Sequence, residues 1–171
     1  KQVNRMRVDR VIVGETRGAE FFDFITAVNS GAEGSLTTLH ANDGHSAMKK
    51  MATFMYMAVD MSPRIINEMI AQAVDIVIQI GHSKIDGGHK ILSINEVTNA
   101  VSAGDSPTIA LNPLFEYDHN SNTWSKKFAT DKLKAKLEQH GYNPNSYTIK
   151  KEERDIRPGS GGLPSYFRKE D

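Results

Sequence analysis

Two short polar segments hold the residues with which this chain could do chemistry. The first closes an apolar run, Asp9-Arg10-Val11-Ile12-Val13-Gly14-Glu15-Thr16-Arg17-Gly18. A strand ending in Gly-Glu sets a carboxylate at the C-terminal edge of a sheet, where open α/β sheets bind ligands. Such a carboxylate can hold Mg²⁺ through water or orient a water beside a phosphate. It can equally be a solvated Glu after a core strand. The second segment is Gly34-Ser35-Leu36-Thr37-Thr38-Leu39-His40-Ala41-Asn42. Thr38, His40 and Asn42 can donate hydrogen bonds, and His40 can also carry charge. Polar groups of this kind can sense whether a terminal phosphate is present. A lone His is more simply satisfied by a backbone carbonyl. In a parallel sheet, however, a strand one helix later ends on the same edge as Glu15, which favours a shared site.

The elements that must position these tips can be read from periodicity. Val11 to Val13 suits a strand buried on both faces. Residues 19–30 carry Phe21, Phe22, Phe24, Ile25 and Val28 at mostly helical spacing, and Gly31 is a good left-handed cap. Ser35 to Leu39 is rich in β-branched and apolar residues and predicts a second buried strand. Asp43 or Gly44 could open the next helix, over about 45–58, with Met48, Met51, Ala52 and Met55 on one face. Ser62-Pro63 opens another over about 63–74, with Ser as cap and Pro at the first helical position. Asp75 to Gly81 is a third strand. Strand–helix–strand–helix–helix–strand predicts an α/β layered domain. Beyond Gly81 the texture changes. Asp86-Gly87-Gly88 is a hairpin signal before the alternating stretch His89 to Val97. Residues 108–118 and 123–128 predict an antiparallel pair joined by the turn Asn120-Ser121-Asn122. A helix over about 130–140 ends at Gly141. Residues 150–171 are charged, contain Gly, Ser and Pro, and lack periodicity, so a flexible tail is expected there.

The segment Arg5 to Gly18 resembles the Walker B region of the type II/type IV secretion traffic ATPases, and Gly34 to Asn42 resembles their histidine box. Their order and separation also fit, with the tight-adherence pilus and conjugation branch the nearest in appearance. Ile94-Asn95-Glu96-Val97 resembles the family's strand before its C-terminal region. Val8 stands where the family commonly has proline. The resemblance implies a three-layer α/β/α RecA-like P-loop NTPase half-domain over residues 1–81, an antiparallel β and helix extension over 82–149, and a tail over 150–171. It also implies a hexameric ring that hydrolyses ATP with Mg²⁺ to drive protein secretion, pilus assembly or conjugative DNA transfer. Such a ring works in the cytoplasm against an inner-membrane platform protein. By position Glu15 matches the Walker B glutamate, near Mg²⁺ and the lytic water. His40 matches the box histidine, and Arg17 the arginine after Gly-Glu. Thr38 and Asn42 lie beside His40 as candidate phosphate sensors.

One departure limits the expectation. No GxxxxGK[ST] loop occurs in the sequence, and the stretch Arg157 to Gly162 lacks the lysine and the following helix. The family's upstream acidic box and N-terminal domain are also missing. The opening Lys-Gln-Val-Asn has no Met and no apolar signal segment, so the chain reads as a fragment whose upstream part is absent. On this reading the chain alone hydrolyses no ATP. The alternative is a non-catalytic module that docks on a full-length secretion ATPase.

Composition narrows the remaining classes. The chain has 171 residues, and its 21 Lys and Arg balance 21 Asp and Glu, so no basic excess supports nucleic-acid binding. No direct sequence-specific contact with nucleic acid is expected. Cysteine is absent, which removes disulfides and thiolate metal sites. The six histidines His40, His45, His82, His89, His119 and His140 show no tight metal spacing, so a histidine metal hydrolase is disfavoured. Arg5, Arg7 and Arg10 read as a solvated basic cluster. Lys49, Lys50 and the lysines at 126–136 read as wet helix faces. The methionines of the two central helices read as core.

Overall fold

The computed structural model describes residues 9–83, 87–101 and 108–142. Arg5, Arg7, Asp86 of the hairpin signal and the predicted tail lie outside the described residues. β1 (Ile12–Val13) leads into α1 (Glu20–Asn29), and β2 (Leu36–Thr37) returns parallel to β1, with Ile12 opposite Leu36 and Val13 opposite Thr37. This is the expected crossover, and it brings both strand ends to one edge. α1 starts without a side-chain cap from Ala19. Instead the Glu20 carboxylate accepts from the Arg17 amide at 2.6 Å and the Gly18 amide at 3.0 Å. Those bonds hold its carboxyl below the usual range. At the other end Gly31, with φ of 110°, lets the Ala32 amide reach back to the Ala27 carbonyl at 3.2 Å.

α2 (Gly44–Ala58) and α3 (Pro63–Ala73) follow. Asp43 caps α2 by accepting from the Ser46 amide at 2.7 Å, and Ser62 caps α3 ahead of Pro63, as the sequence predicts. The three helices bury Phe21, Ile25, Met48, Met51, Phe54, Met55, Ile66 and Ile70 in a common core. The methionine face of α2 is therefore core, whereas Met57 stays exposed.

The outer face of the β1–β2 pair departs from expectation. Ile12 is 77% and Leu36 63% exposed, although the sequence predicts a first strand buried on both faces and a second buried strand. Side chains alternate across a strand, and the helices cover only one face of this pair. No described element lies over the other face.

β3 (Ile76–His82), β4 (His89–Val101), β5 (Thr108–Asp118) and β6 (Thr123–Lys126) form a four-stranded antiparallel sheet in sequential order. β3 pairs with β4 rather than with the parallel pair. The chain separates into two compact units, Lys1–Lys136 and Leu137–Asp171. α4 (Asp131–Gln139) begins in the first. In the second, the His140 and Tyr142 amides both close on the Leu137 carbonyl.

Glu96 on β4 ties the sheet to the start of α4. It is only 2% exposed. Its carboxylate accepts from Asn112 Nδ2 at 3.1 Å, from the Thr130 amide at 3.0 Å and from the Thr130 hydroxyl. Burial pushes this carboxyl up, but the Thr130 hydroxyl and amide, Asn112 and the Lys132 charge outweigh it and hold it below its ordinary value. A depressed folded-state value gives stability that is fully present above the unfolded carboxyl's range, near about 4.3, and is lost as pH falls through the folded value. Glu96→Ala strands three donors and is expected to cost about 2–3 kcal/mol at neutral pH. Urea titrations at pH 7 and in acid check this. The gap between parent and variant should narrow in acid, and an equal gap at both pH values would contradict it.

Candidate functional site

Beyond each parallel strand the polypeptide leaves regular structure, and the two segments are sewn together. The Thr16 amide donates to the Thr38 carbonyl at 2.9 Å. The Thr38 hydroxyl donates in the opposite direction, to the Gly14 carbonyl, at 2.5 Å. The Thr16 hydroxyl also reaches the Thr38 carbonyl at 3.3 Å and accepts from the Thr37 hydroxyl at 3.4 Å. Thr16 is 2% exposed, so its part of the stitch is shielded from water, whereas Thr38 is exposed. It fixes Glu15, which precedes Thr16, against the segment that carries His40.

Glu15 and His40 meet. Glu15 Oε1 lies 3.2 Å from His40 Nε2, and Glu15 Oε2 lies 2.5 Å from Arg17 Nη2. The Glu15 side chain is 25% exposed, against 78% for Arg17 and 87% for His40. Thus a sheltered carboxylate sits between two solvent-facing cationic or ionisable groups. The Arg17 hydrogen bond, with the charges of Arg17, His40 and Lys50 behind it, holds the Glu15 carboxyl below its usual range. The same contact holds the Arg17 guanidinium above its own. The carboxylate is therefore ionised throughout the neutral range.

Of the predicted site residues, Glu15, Arg17 and His40 converge directly. Thr38 joins them by holding the backbone of the Glu15 segment. Asn42 is exposed in the connection to Asp43 and α2. Two contributors were missed from the sequence. Thr16 carries the stitch, and only its position between Glu15 and Arg17 could have pointed to it. Lys50, read as part of a wet helix face, donates from Nζ to the His40 carbonyl at 2.8 Å. Its ten-residue offset from His40 gave no signal, because the contact depends on how α2 leaves the strand tip.

One ionised carboxylate flanked by cations at a strand tip fits a hydrated Mg²⁺ that also carries phosphate oxygens, since Mg²⁺ keeps several waters and needs only one or two carboxylates. Among the described residues no group of three His, Cys, Asp or Glu side chains is placed to hold a metal ion. No helix among them is long and apolar enough to cross a membrane.

A parallel βαβ unit with an acid and an imidazole at its strand tips, joined to an antiparallel sheet, makes an α/β half-domain. The family model for type II/IV secretion system proteins matches residues 1–94, and the chain belongs to that family. It is 34% identical over 83 residues to the conjugal transfer protein TrbB of Rhizobium radiobacter, covering 48% of this chain and 25% of that protein. With the type IV secretion system protein VirB11 of Bartonella henselae it shares 33% identity over 93 residues, covering 53% of this chain and 26% of VirB11. The crystal structure of the VirB11 ATPase from the Brucella suis type IV secretion system, in complex with sulphate, superposes with a TM-score of 0.50 at 28% identity. That match covers 53% of this chain and 28% of the other. The chain thus spans about a quarter of the length of these relatives.

Proposed function

We propose that this chain is the Walker B and histidine-box part of an ATP-hydrolysing motor that powers protein secretion, pilus assembly or conjugative DNA transfer. The observation that carries the reading is the 3.2 Å approach of Glu15 Oε1 to His40 Nε2 at adjoining strand tips. Family membership and the likeness to a VirB11 ATPase support it.

In this reading Glu15 accepts a hydrogen bond from the attacking water and orients it toward the terminal phosphate. Arg17 lies where its charge can follow the phosphate once it lets go of the carboxylate. His40, bonded to Glu15 on one side and open to solvent on the other, reports whether the phosphate is present, and Thr38 keeps the two tips in step. Mg²⁺ bound with the nucleotide would neutralise phosphate charge, with Glu15 holding it through water. The working unit is a homo-hexamer in the cytoplasm, seated on an inner-membrane platform protein, with ATP bound between subunits.

The lysine and backbone amides that cradle phosphates are not among these 171 residues. The chain alone is therefore expected to be inactive. Phosphate release from ATP separates the possibilities. Turnover by the full-length protein with none from this chain is the expected result. Turnover by neither would leave a non-catalytic module that docks on a complete secretion ATPase.

A further inference from the structure

We infer that Lys50 is a positioning residue of this site, one that sets where His40 stands relative to Glu15 and adds a second fixed positive charge toward a bound phosphate. The inference rests on the ATPase reading only for its catalytic consequence. The structural part stands on two contacts, with the reach of the lysine's charge beside them. Lys50 Nζ donates to the His40 main-chain carbonyl at 2.8 Å. Its charge acts on the Glu15 carboxylate, together with those of Arg17 and His40. It also lies 5.9 Å from the centre of the Phe54 ring, one helical turn further along α2. Phe54 is 3% exposed and belongs to the core.

These contacts form a chain of placement. The Phe54 face and the lysine stem fix the ammonium over α2, as amphipathic side chains commonly lie along apolar surface with the charged head free. The ammonium then fixes the His40 carbonyl, and so the backbone from which the imidazole projects. The next carbonyl, that of Ala41, is held separately by Gln79 Nε2 from β3 at 3.3 Å. The imidazole itself is 87% exposed and has little packing of its own to hold it. Its place beside Glu15 is therefore set through the backbone, by Lys50 on one carbonyl and Gln79 on the next. Of the two only Lys50 is charged. Arg17 already neutralises one Glu15 oxygen, so the Lys50 ammonium remains available to attract phosphate oxygens without leaving the His40 carbonyl, since an ammonium has three donors.

The consequence is a functional coupling between α2 and the site. A shift of α2 relative to β2 pulls on the His40 carbonyl through Lys50 and changes the Glu15–His40 distance. Helix movement and phosphate sensing would share one lysine.

Two measurements test this. In the first, this chain is labelled with ¹³C and ¹⁵N, and the His40 carbonyl carbon and the amides of 39–42 are followed by NMR in parent, Lys50→Met and Lys50→Arg. Lys50→Met should shift the His40 carbonyl carbon and loosen 39–42 while leaving the amides of α1 and α3 in place, and Lys50→Arg should largely restore the parent spectrum. An unchanged His40 carbonyl in Lys50→Met, or a change spread evenly over the helices, overturns the positioning role. In the second, ATP turnover of the full-length protein should fall about tenfold in kcat for Lys50→Met, with KM changed less than about threefold, and Lys50→Arg should keep most of the rate. Equal rates in parent and Lys50→Met overturn the catalytic consequence. A full-length parent without turnover overturns the ATPase reading, and the carbonyl measurement still decides for or against Lys50.

Discussion

Glu15→Gln in the full-length protein should lower the rate of ATP hydrolysis about a hundredfold to a thousandfold while changing KM for ATP little. The amide keeps the size of the side chain and one carbonyl oxygen. It removes the charge that Arg17 and His40 face at 2.5 and 3.2 Å. A neutral amide orients an attacking water poorly and holds a hydrated cation weakly. Ground-state binding of the nucleotide falls to phosphate contacts elsewhere, so the loss should appear in kcat. The substitution leaves the folding elements intact, because the Glu15 side chain is no part of the helix core and the stitch between the tips uses Thr16, Thr38 and the Gly14 carbonyl. Steady-state kinetics with a circular dichroism control measures it. A fall of less than about fivefold would take Glu15 out of the reaction.

Phe21→Ala should be the most costly single truncation of the helical core, at about 3–5 kcal/mol. Phe21 is fully buried. Its ring lies 6.0 Å from that of Phe24 and 6.2 Å, edge-on, from that of Phe54. It therefore joins α1, the crossover between the two site strands, to α2, which leaves the His40 tip. Domains are commonly stable by only about 5–15 kcal/mol, so this loss is a large share of the total. A urea unfolding series on this chain gives the value. A cost under about 1 kcal/mol would mean that the helices are not packed around Phe21 as described. Because the same ring supports Phe54, the variant should also disturb the Lys50 contact, in contrast to Glu15→Gln.

Local chemistry made much of this structure legible. Ser62-Pro63 and Asp43 announce two helix starts because capping is a contact within one turn. Gly31 marks the end of α1 because its φ of 110° suits a residue without a side chain. Glu15 and His40 could be paired from the sequence because strands that run parallel end on the same edge of their sheet. What escaped depends on partners far along the chain. Whether Asp75 to Gly81 would join the parallel pair or the antiparallel sheet is decided by the register of Ile78 opposite Ile94 and its neighbours, which periodicity does not carry. The Glu96 carboxylate meets Thr130 across 34 residues, and its role as an anchor for α4 shows only once both are placed. Ile12 and Leu36 look like core by composition, and their exposure reflects which faces the described helices cover. Lys50 was hidden for the same reason: a lysine on a polar helix face has no local mark to tell a wet side chain from one that holds a strand tip.

The association of Glu15 with Arg17 and His40 is tested most directly by titrating the Glu15 carboxyl carbon by NMR in this chain, in Arg17→Gln and in His40→Ala. The shared site requires a midpoint below the ordinary carboxylate range in the parent, a clear rise when Arg17 is removed and a smaller rise when His40 is removed. An ordinary midpoint that neither substitution moves would mean that the carboxylate and the imidazole do not share a pocket, and the motor reading would fall with it.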